Sequence, residues 1–104
     1  MSPLKKKKLN IIRKRLDKLD NSLIKLIRKR TELVKKVLKL KEHKNEIVDK
    51  KRINKILNNI KKKSIRNKID PKITKRIWTN MIYAYIDFER RDRKSTRLNS
   101  SHLL

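Results

Sequence analysis

Hydrophobic positions in the first third of the chain recur in alternating steps of three and four residues. Nine of the ten positions are aliphatic and one is basic: Leu9, Ile12, Leu16, Leu19, Leu23, Leu26, Arg30, Leu33, Val37 and Leu40. We call these ten positions the heptad seam. Such spacing is typical of a helix that packs along its whole length. It predicts one helix from Leu9 to about Glu42, which is longer than an ordinary globular helix.

Arg30 stands where the heptad seam calls for an apolar residue. A guanidinium is costly to bury unless an anion meets it, so this position predicts an anion site within a packing surface. At 100° per residue, Lys41 differs from Arg30 by only about 20° in direction, whereas Arg13 points about 80–100° away from both. Arg30 and Lys41 are therefore expected to serve one pocket, and Arg13 another.

Capping signals separate the first helix from a second. His43 to Asn45 are expected to end the first helix, with Asn45 as a left-handed C-cap, and Glu46 to Val48 form a short connector. Asp49 is a suitable N-cap for the second helix. The apolar stripe of this helix comprises Ile53, Ile56, Leu57 and Ile60. The stretches Lys61–Lys63 and Ser64–Ile69 are expected to close the helix and form the next loop.

The third helix is predicted to begin at Asp70-Pro71, because Asp caps free amides and Pro fits the first helical position. Its apolar stripe comprises Ile73, Ile77, Trp78, Met81, Ile82 and Tyr85. Glu89 follows Tyr85 at helical spacing, so its carboxyl is expected to continue the buried face. Burial raises the pKa of such a carboxyl unless a cation meets it. The ring of Tyr85 can pack while its hydroxyl reaches a pocket.

Composition supports an all-α chain of one small domain. The 104 residues include no Gly and two Pro, which favours long helices joined by short connectors. The absence of Cys excludes disulfide frameworks, thiolate nucleophiles and cysteine-based zinc sites. The longest apolar run, Met81–Ile86, is far shorter than a membrane span, and no hydrophobic segment follows the basic N-terminus. We therefore expect a cytoplasmic protein without membrane association.

Both ends of the chain depart from the helical pattern. Residues 1–8 form a basic leader that is either frayed or continuous with the first helix. Residues 92–104 lose the periodicity, and their sequence matches one reading frame of a common sequencing adapter, so we interpret them as a non-native tail. The native domain is therefore expected to span residues 9–91, with the third helix ending soon after Arg91.

The net charge of +24 favours an anionic partner. Abundant Lys, Asn and Ile together are also typical of an AT-rich genome, and in that case most lysines are simply solvated surface. A basic helical nucleic-acid-binding protein is one alternative, supported by Lys5–Lys8, Lys35–Lys36 and Lys61–Lys63. Because the aromatic residues gather in one helix and no DNA-reading motif occurs, specific nucleic-acid binding is not expected.

The order of these residues resembles the all-helical type II chorismate mutases. The matching segments are Ile12-Arg13 to Asp20, Leu23 to Arg30, Leu33-Val34, Lys41, Asp49 to Arg52, and Ile77-Trp78 to Glu89. They cover about residues 9–91. The resemblance implies an intertwined homodimer of three-helix chains that converts chorismate to prephenate without cofactor or metal. This reaction belongs to aromatic amino acid biosynthesis in the shikimate pathway.

The resemblance also implies roles for individual residues. Arg30 and Arg52 from one chain, and Arg13 from its partner, would bind the substrate carboxylates. Lys41 would hydrogen-bond the ether oxygen and a carboxylate, and Asp49 would help to hold the substrate hydroxyl. Glu89 lies at the second ether-binding position, and Tyr85 is a further candidate substrate contact. Arg13 and Arg52 each have an alternative interpretation without a role in substrate binding. Arg13 would then be an ordinary surface arginine, and Arg52 would pair only with Asp49 or solvent.

Two positions depart from the common mutase pattern. Many family members carry Glu directly after the arginine at position 52, whereas this chain carries Ile53. Loss of that Glu is also a feature of isochorismate pyruvate lyases, relatives that form salicylate, and this reaction is the second candidate. The position of Glu89 is often Gln. Because a carboxylate cannot donate a hydrogen bond, Glu89 has to be protonated to assist the ether oxygen.

Overall fold

The computed structural model describes the backbone of residues 2–40 and 49–103, and the side chains of residues 2–40 and 49–91. The described backbone forms three helices: α1 (Pro3–Leu40), α2 (Lys50–Arg66) and α3 (Pro71–Leu103). This confirms the all-α prediction. None of the helices within these ranges combines the length and the apolar character that crossing a membrane requires.

Helix α1 includes the basic leader, since its first residue is Pro3. Ser2 caps it: the backbone N–H of Lys5 donates to Ser2 Oγ at 3.3 Å, and that of Lys6 donates to the Ser2 carbonyl at 3.0 Å. Proline is well suited to this position because the first helical amide has no partner in the helix. The predicted C-cap and connector, His43 to Val48, lie outside the described residues.

The heptad seam of α1 is largely exposed to solvent in the single chain. Leu16, Leu19 and Leu23 have exposed fractions of 53%, 61% and 52%, and Leu33 has 60%. No residue of α1 is fully buried. A helix with this periodicity gains most of its stability by burying the apolar stripe. The heptad seam is therefore an apolar surface that is available for packing against another helix.

Helices α2 and α3 pack against each other as the α2–α3 hairpin. Its core consists of the buried Ile82 and Ile86, with three partly buried residues of α2 against them: Ile53, Ile56 and Leu57. These contacts confirm three of the four residues of the predicted stripe of α2, and the fourth, Ile60, is half-buried. Near the turn, the hydroxyls of Ser64 and Thr74 lie 2.6 Å apart, and the Ser64 hydroxyl also donates to the Ile60 carbonyl at 2.6 Å. This polar contact links the two helices where their ends meet.

The structure corrects the predicted end of α2. The helix continues through Lys61–Lys63 and stops at Arg66, so Ser64 to Arg66, which were expected in the closing segment and loop, are helical as well. Lys68 then adopts a left-handed conformation with φ of 57°. The backbone N–H of Lys68 donates to the Ile65 carbonyl and that of Ile69 to the Ser64 carbonyl, which is the Schellman arrangement.

Helix α3 begins as predicted, with the Lys72 N–H donating to Asp70 Oδ1 at 2.9 Å. Its far end corrects the expectation that the helix stops soon after Arg91, because the helical backbone continues to Leu103. Whether residues 92–104 are native is a separate prediction. Ile73 and Ile77, expected in the buried stripe, are 55% and 52% exposed. They lie on a second apolar face of α3, whereas Ile86 joins Ile82 in the hairpin core.

Candidate functional site

The first turn of α2 carries two of the predicted site residues. Asp49 has extended backbone angles and accepts a hydrogen bond at Oδ1 from the Arg52 N–H at 3.0 Å, which confirms its predicted capping role. Both side chains are exposed. The free amides of a helix N-terminus already favour an anion, and the Arg52 guanidinium adds a bidentate donor for a carboxylate. This turn is therefore suited to binding an anionic group.

Glu89 is buried, with an exposed fraction of 6%. It lies on the same face of α3 as the core residues Ile82 and Ile86, as the helical spacing predicted. Ser64 faces Thr74 near the turn of the hairpin, and both Asp49 and Glu89 lie fifteen residues from that contact. At about 1.5 Å per residue, antiparallel pairing places Glu89 level with the first turn of α2.

We call the end of the hairpin opposite the turn, where Asp49 and Glu89 lie, its open end. Tyr85 and Ile53 lie near this end. Tyr85 is half-buried, one turn before Glu89 on α3. Ile53 packs against the core formed by Ile82 and Ile86. The side chain that follows Arg52 therefore faces the interior of the hairpin and offers it no polar group.

The remaining candidates belong to the first helix. Arg13 is exposed and Arg30 is half-buried. The two positions are separated by seventeen residues, or about 25 Å along a straight helix. The two side chains also point about 100° apart around the helix, so one copy of α1 does not direct both guanidinium groups at one small dianion. Lys41 lies outside the described residues.

The open end of the hairpin thus combines an arginine, a capping carboxylate, a half-buried phenol and a buried carboxyl. The arginine of this set can hold an anionic ligand, and the buried carboxyl can lie beside a less polar part of the same ligand. A second feature, which the sequence did not reveal, is a cationic groove nearer the turn. Its lysines belong to two different helices, so no periodicity along the chain brings them together.

A family model for type II chorismate mutases matches residues 12–90. No curated protein and no solved structure matches the chain. The matched range contains the heptad seam from Ile12 to Leu40, all of α2, and α3 as far as Arg90. This match over most of the sequence, on a chain whose described backbone forms three helices, shows that the chain belongs to the type II chorismate mutase family.

Proposed function

We propose that the protein is a chorismate mutase that rearranges chorismate to prephenate, a reaction of the shikimate pathway. The observation that carries this proposal is the burial of Glu89 level with the first turn of α2. This level supports a role for Glu89 next to the turn that carries Arg52, which is suited to binding an anion. Family membership supports the same reaction class.

The rearrangement makes modest chemical demands on the protein. One C–O bond breaks as one C–C bond forms, with no nucleophile, base or net proton transfer. The enzyme has to hold the substrate in a folded shape and direct donors at the ether oxygen, which gains negative charge. In this proposal Arg30 and Arg52 bind carboxylates, while Lys41 and protonated Glu89 donate to the ether oxygen. Asp49 and Tyr85 complete the substrate contacts.

We further propose that the active unit is a homodimer in which Arg13 reaches the partner's site. Two observations on α1 support this arrangement. The heptad seam is exposed in the single chain, although its apolar periodicity suits a packed interface. The separation of about 25 Å between Arg13 and Arg30, and their different directions, argue against one copy of the helix bringing both to one substrate. A second copy removes both difficulties.

The activity is tested by incubating purified protein with chorismate and identifying the product. We expect prephenate. The Arg52→Ala variant is expected to lose about 100-fold or more in kcat/KM, because a charge-assisted carboxylate contact is removed. Arg66→Ala is the matched control: it removes an arginine from the other end of α2 and should stay within about threefold of wild type. Absence of chorismate turnover by the wild-type protein would refute the proposal.

Isochorismate pyruvate lyase activity is the second candidate, and one observation favours it. Position 53 is Ile, so this chain lacks the carboxylate that many mutases direct at the substrate hydroxyl from that position. The Ile53 side chain packs against the hairpin core instead. A parallel assay with isochorismate compares the two reactions. Salicylate formation with a higher kcat/KM than prephenate formation would reverse the order of the two candidates.

A further inference from the structure

A groove of about 520 Å³ runs between α2 and α3 on one side of the hairpin. Helix α2 contributes Asn54, Asn58 and Lys61 to its walls, and α3 contributes Lys72 and Lys75. Leu57 supplies an apolar part of the lining. The volume lies within the range of small-molecule sites, about 300–1,000 Å³.

The charge in this groove is not balanced by neighbouring acids. From Lys50 to Ile86 the chain contains twelve Lys and Arg residues and one acidic residue, Asp70. Asp70 serves as the cap of α3 by accepting a hydrogen bond from the Lys72 N–H. Among the residues whose side chains are described, no carboxylate forms an ion pair with Lys61, Lys72 or Lys75. Their mutual repulsion would be relieved by a multivalent anion.

The lysines of the groove lie away from the proposed catalytic end of the hairpin, and Asn54, the groove residue nearest that end, points about 160° away from Arg52 around α2. Lys61 lies twelve residues beyond Asp49, which is about 18 Å along α2. A small ligand cannot contact both Lys61 and the first turn of α2. The groove is also on the side of α3 away from Ile73 and Ile77, so covering that apolar face leaves its lysines accessible.

We propose that this groove binds a small ligand carrying a chain of two or three phosphates. Three ammonium groups on facing helices match several phosphate groups better than a single carboxylate, because lysine acts as a compact point charge for phosphate. The two asparagine amides add neutral donors. A concave site of this size favours a small ligand over duplex nucleic acid, whose interfaces cover about 1,000–2,500 Å².

Calorimetric titration of the full-length protein with tripolyphosphate, at about 0.15 M ionic strength, tests the proposal. We expect saturable binding. Replacing Lys61, Lys72 and Lys75 together by Gln should weaken it about tenfold or more. The matched control replaces Lys51, Lys55 and Lys62 by Gln, which removes the same charge from the exposed side of α2 opposite its apolar stripe. That variant should change the affinity less than about twofold.

Helicity measured by circular dichroism checks that each triple variant is folded. If the groove variant loses helicity, the single Lys75→Gln substitution takes its place, with an expected weakening of about threefold. Equal weakening by the groove and control variants would show diffuse charge attraction and overturn the proposal. Absence of saturable binding, or binding of a short DNA duplex in preference to tripolyphosphate, would overturn it as well.

A parallel titration with ATP separates two sources of the same phosphate chemistry. Tighter binding of ATP than of tripolyphosphate would indicate a nucleotide ligand. Equal or weaker binding would indicate a free oligophosphate. In both cases the groove variant has to show the larger loss of affinity.

Discussion

Two single residues show how local chemistry shapes this molecule. Glu89 is a carboxyl in a place that packing would ordinarily give to an apolar side chain. Lys68 has a left-handed backbone at a position where helices usually end in glycine, and the chain contains no glycine. The first residue is explained by the proposed reaction. The second follows from the need to end α2 sharply.

The Glu89 position predicts a specific pH dependence. If the protonated carboxyl donates to the ether oxygen, kcat is high below the pKa of Glu89 in the complex and falls about tenfold per pH unit above it. The Glu89→Gln variant donates at every pH and should lack that decline. Asp87→Asn, an exposed neighbour on α3, is the control and should retain the wild-type profile. The same pH dependence in wild type and Glu89→Gln would contradict this role.

The Lys68 conformation predicts a stabilising substitution. A left-handed backbone costs a residue with a Cβ about 1 kcal/mol relative to glycine, partly offset by the flexibility that glycine adds to the unfolded chain. Lys68→Gly is therefore expected to raise the free energy of unfolding by up to about 0.5 kcal/mol. Lys62→Gly, the same change within α2, should lower it by about 1 kcal/mol. Urea denaturation at one fixed protein concentration measures both, and a destabilised Lys68→Gly variant would contradict the explanation.

At the scale of elements, the sequence predicted the starts of α2 and α3 better than their ends. Asp49 and Asp70-Pro71 mark the starts of α2 and α3. A capping side chain and a proline act on neighbouring residues, so the local sequence is enough to predict these starts. The end of α2 was missed because Lys61–Lys63 looked like a loop, although lysine is a good helix former. The extension of α3 to Leu103 was missed because loss of apolar periodicity does not itself break a helix. Residues 92–103 contain neither glycine nor proline.

The exposed heptad seam of α1 predicts association through this helix. Leu23→Asp places a carboxylate on the seam, and burial of two such charges in a symmetric dimer should raise the dimer dissociation constant about 100-fold or more. Asn21→Asp adds the same group on the opposite side of α1 and should change it less than about threefold. Sedimentation equilibrium measures both constants. Equal dissociation constants for the two variants would exclude the seam as the interface.

At the scale of the whole molecule, the sequence offers candidate site residues helix by helix, but it does not show how they are assembled. Glu89 became a candidate because helical spacing fixes the direction of its side chain, and Arg52 because the capping signal at Asp49 places it in the first turn of α2. The groove lined by Lys61, Lys72 and Lys75 could not be identified, because it depends on how α2 and α3 pair. Arg13 and Arg30 require a second chain if both are to bind one substrate.

This last point makes mixing of two inactive variants the most direct test of the central claim, that two chorismate-rearranging sites are shared across a dimer. Arg13→Ala and Arg52→Ala are each expected to be nearly inactive. After equal amounts are unfolded together and refolded, random pairing makes half of the dimers mixed, and each mixed dimer contains one intact site. About one quarter of wild-type prephenate formation is therefore expected. Activity no greater than the average of the two variants alone would contradict it.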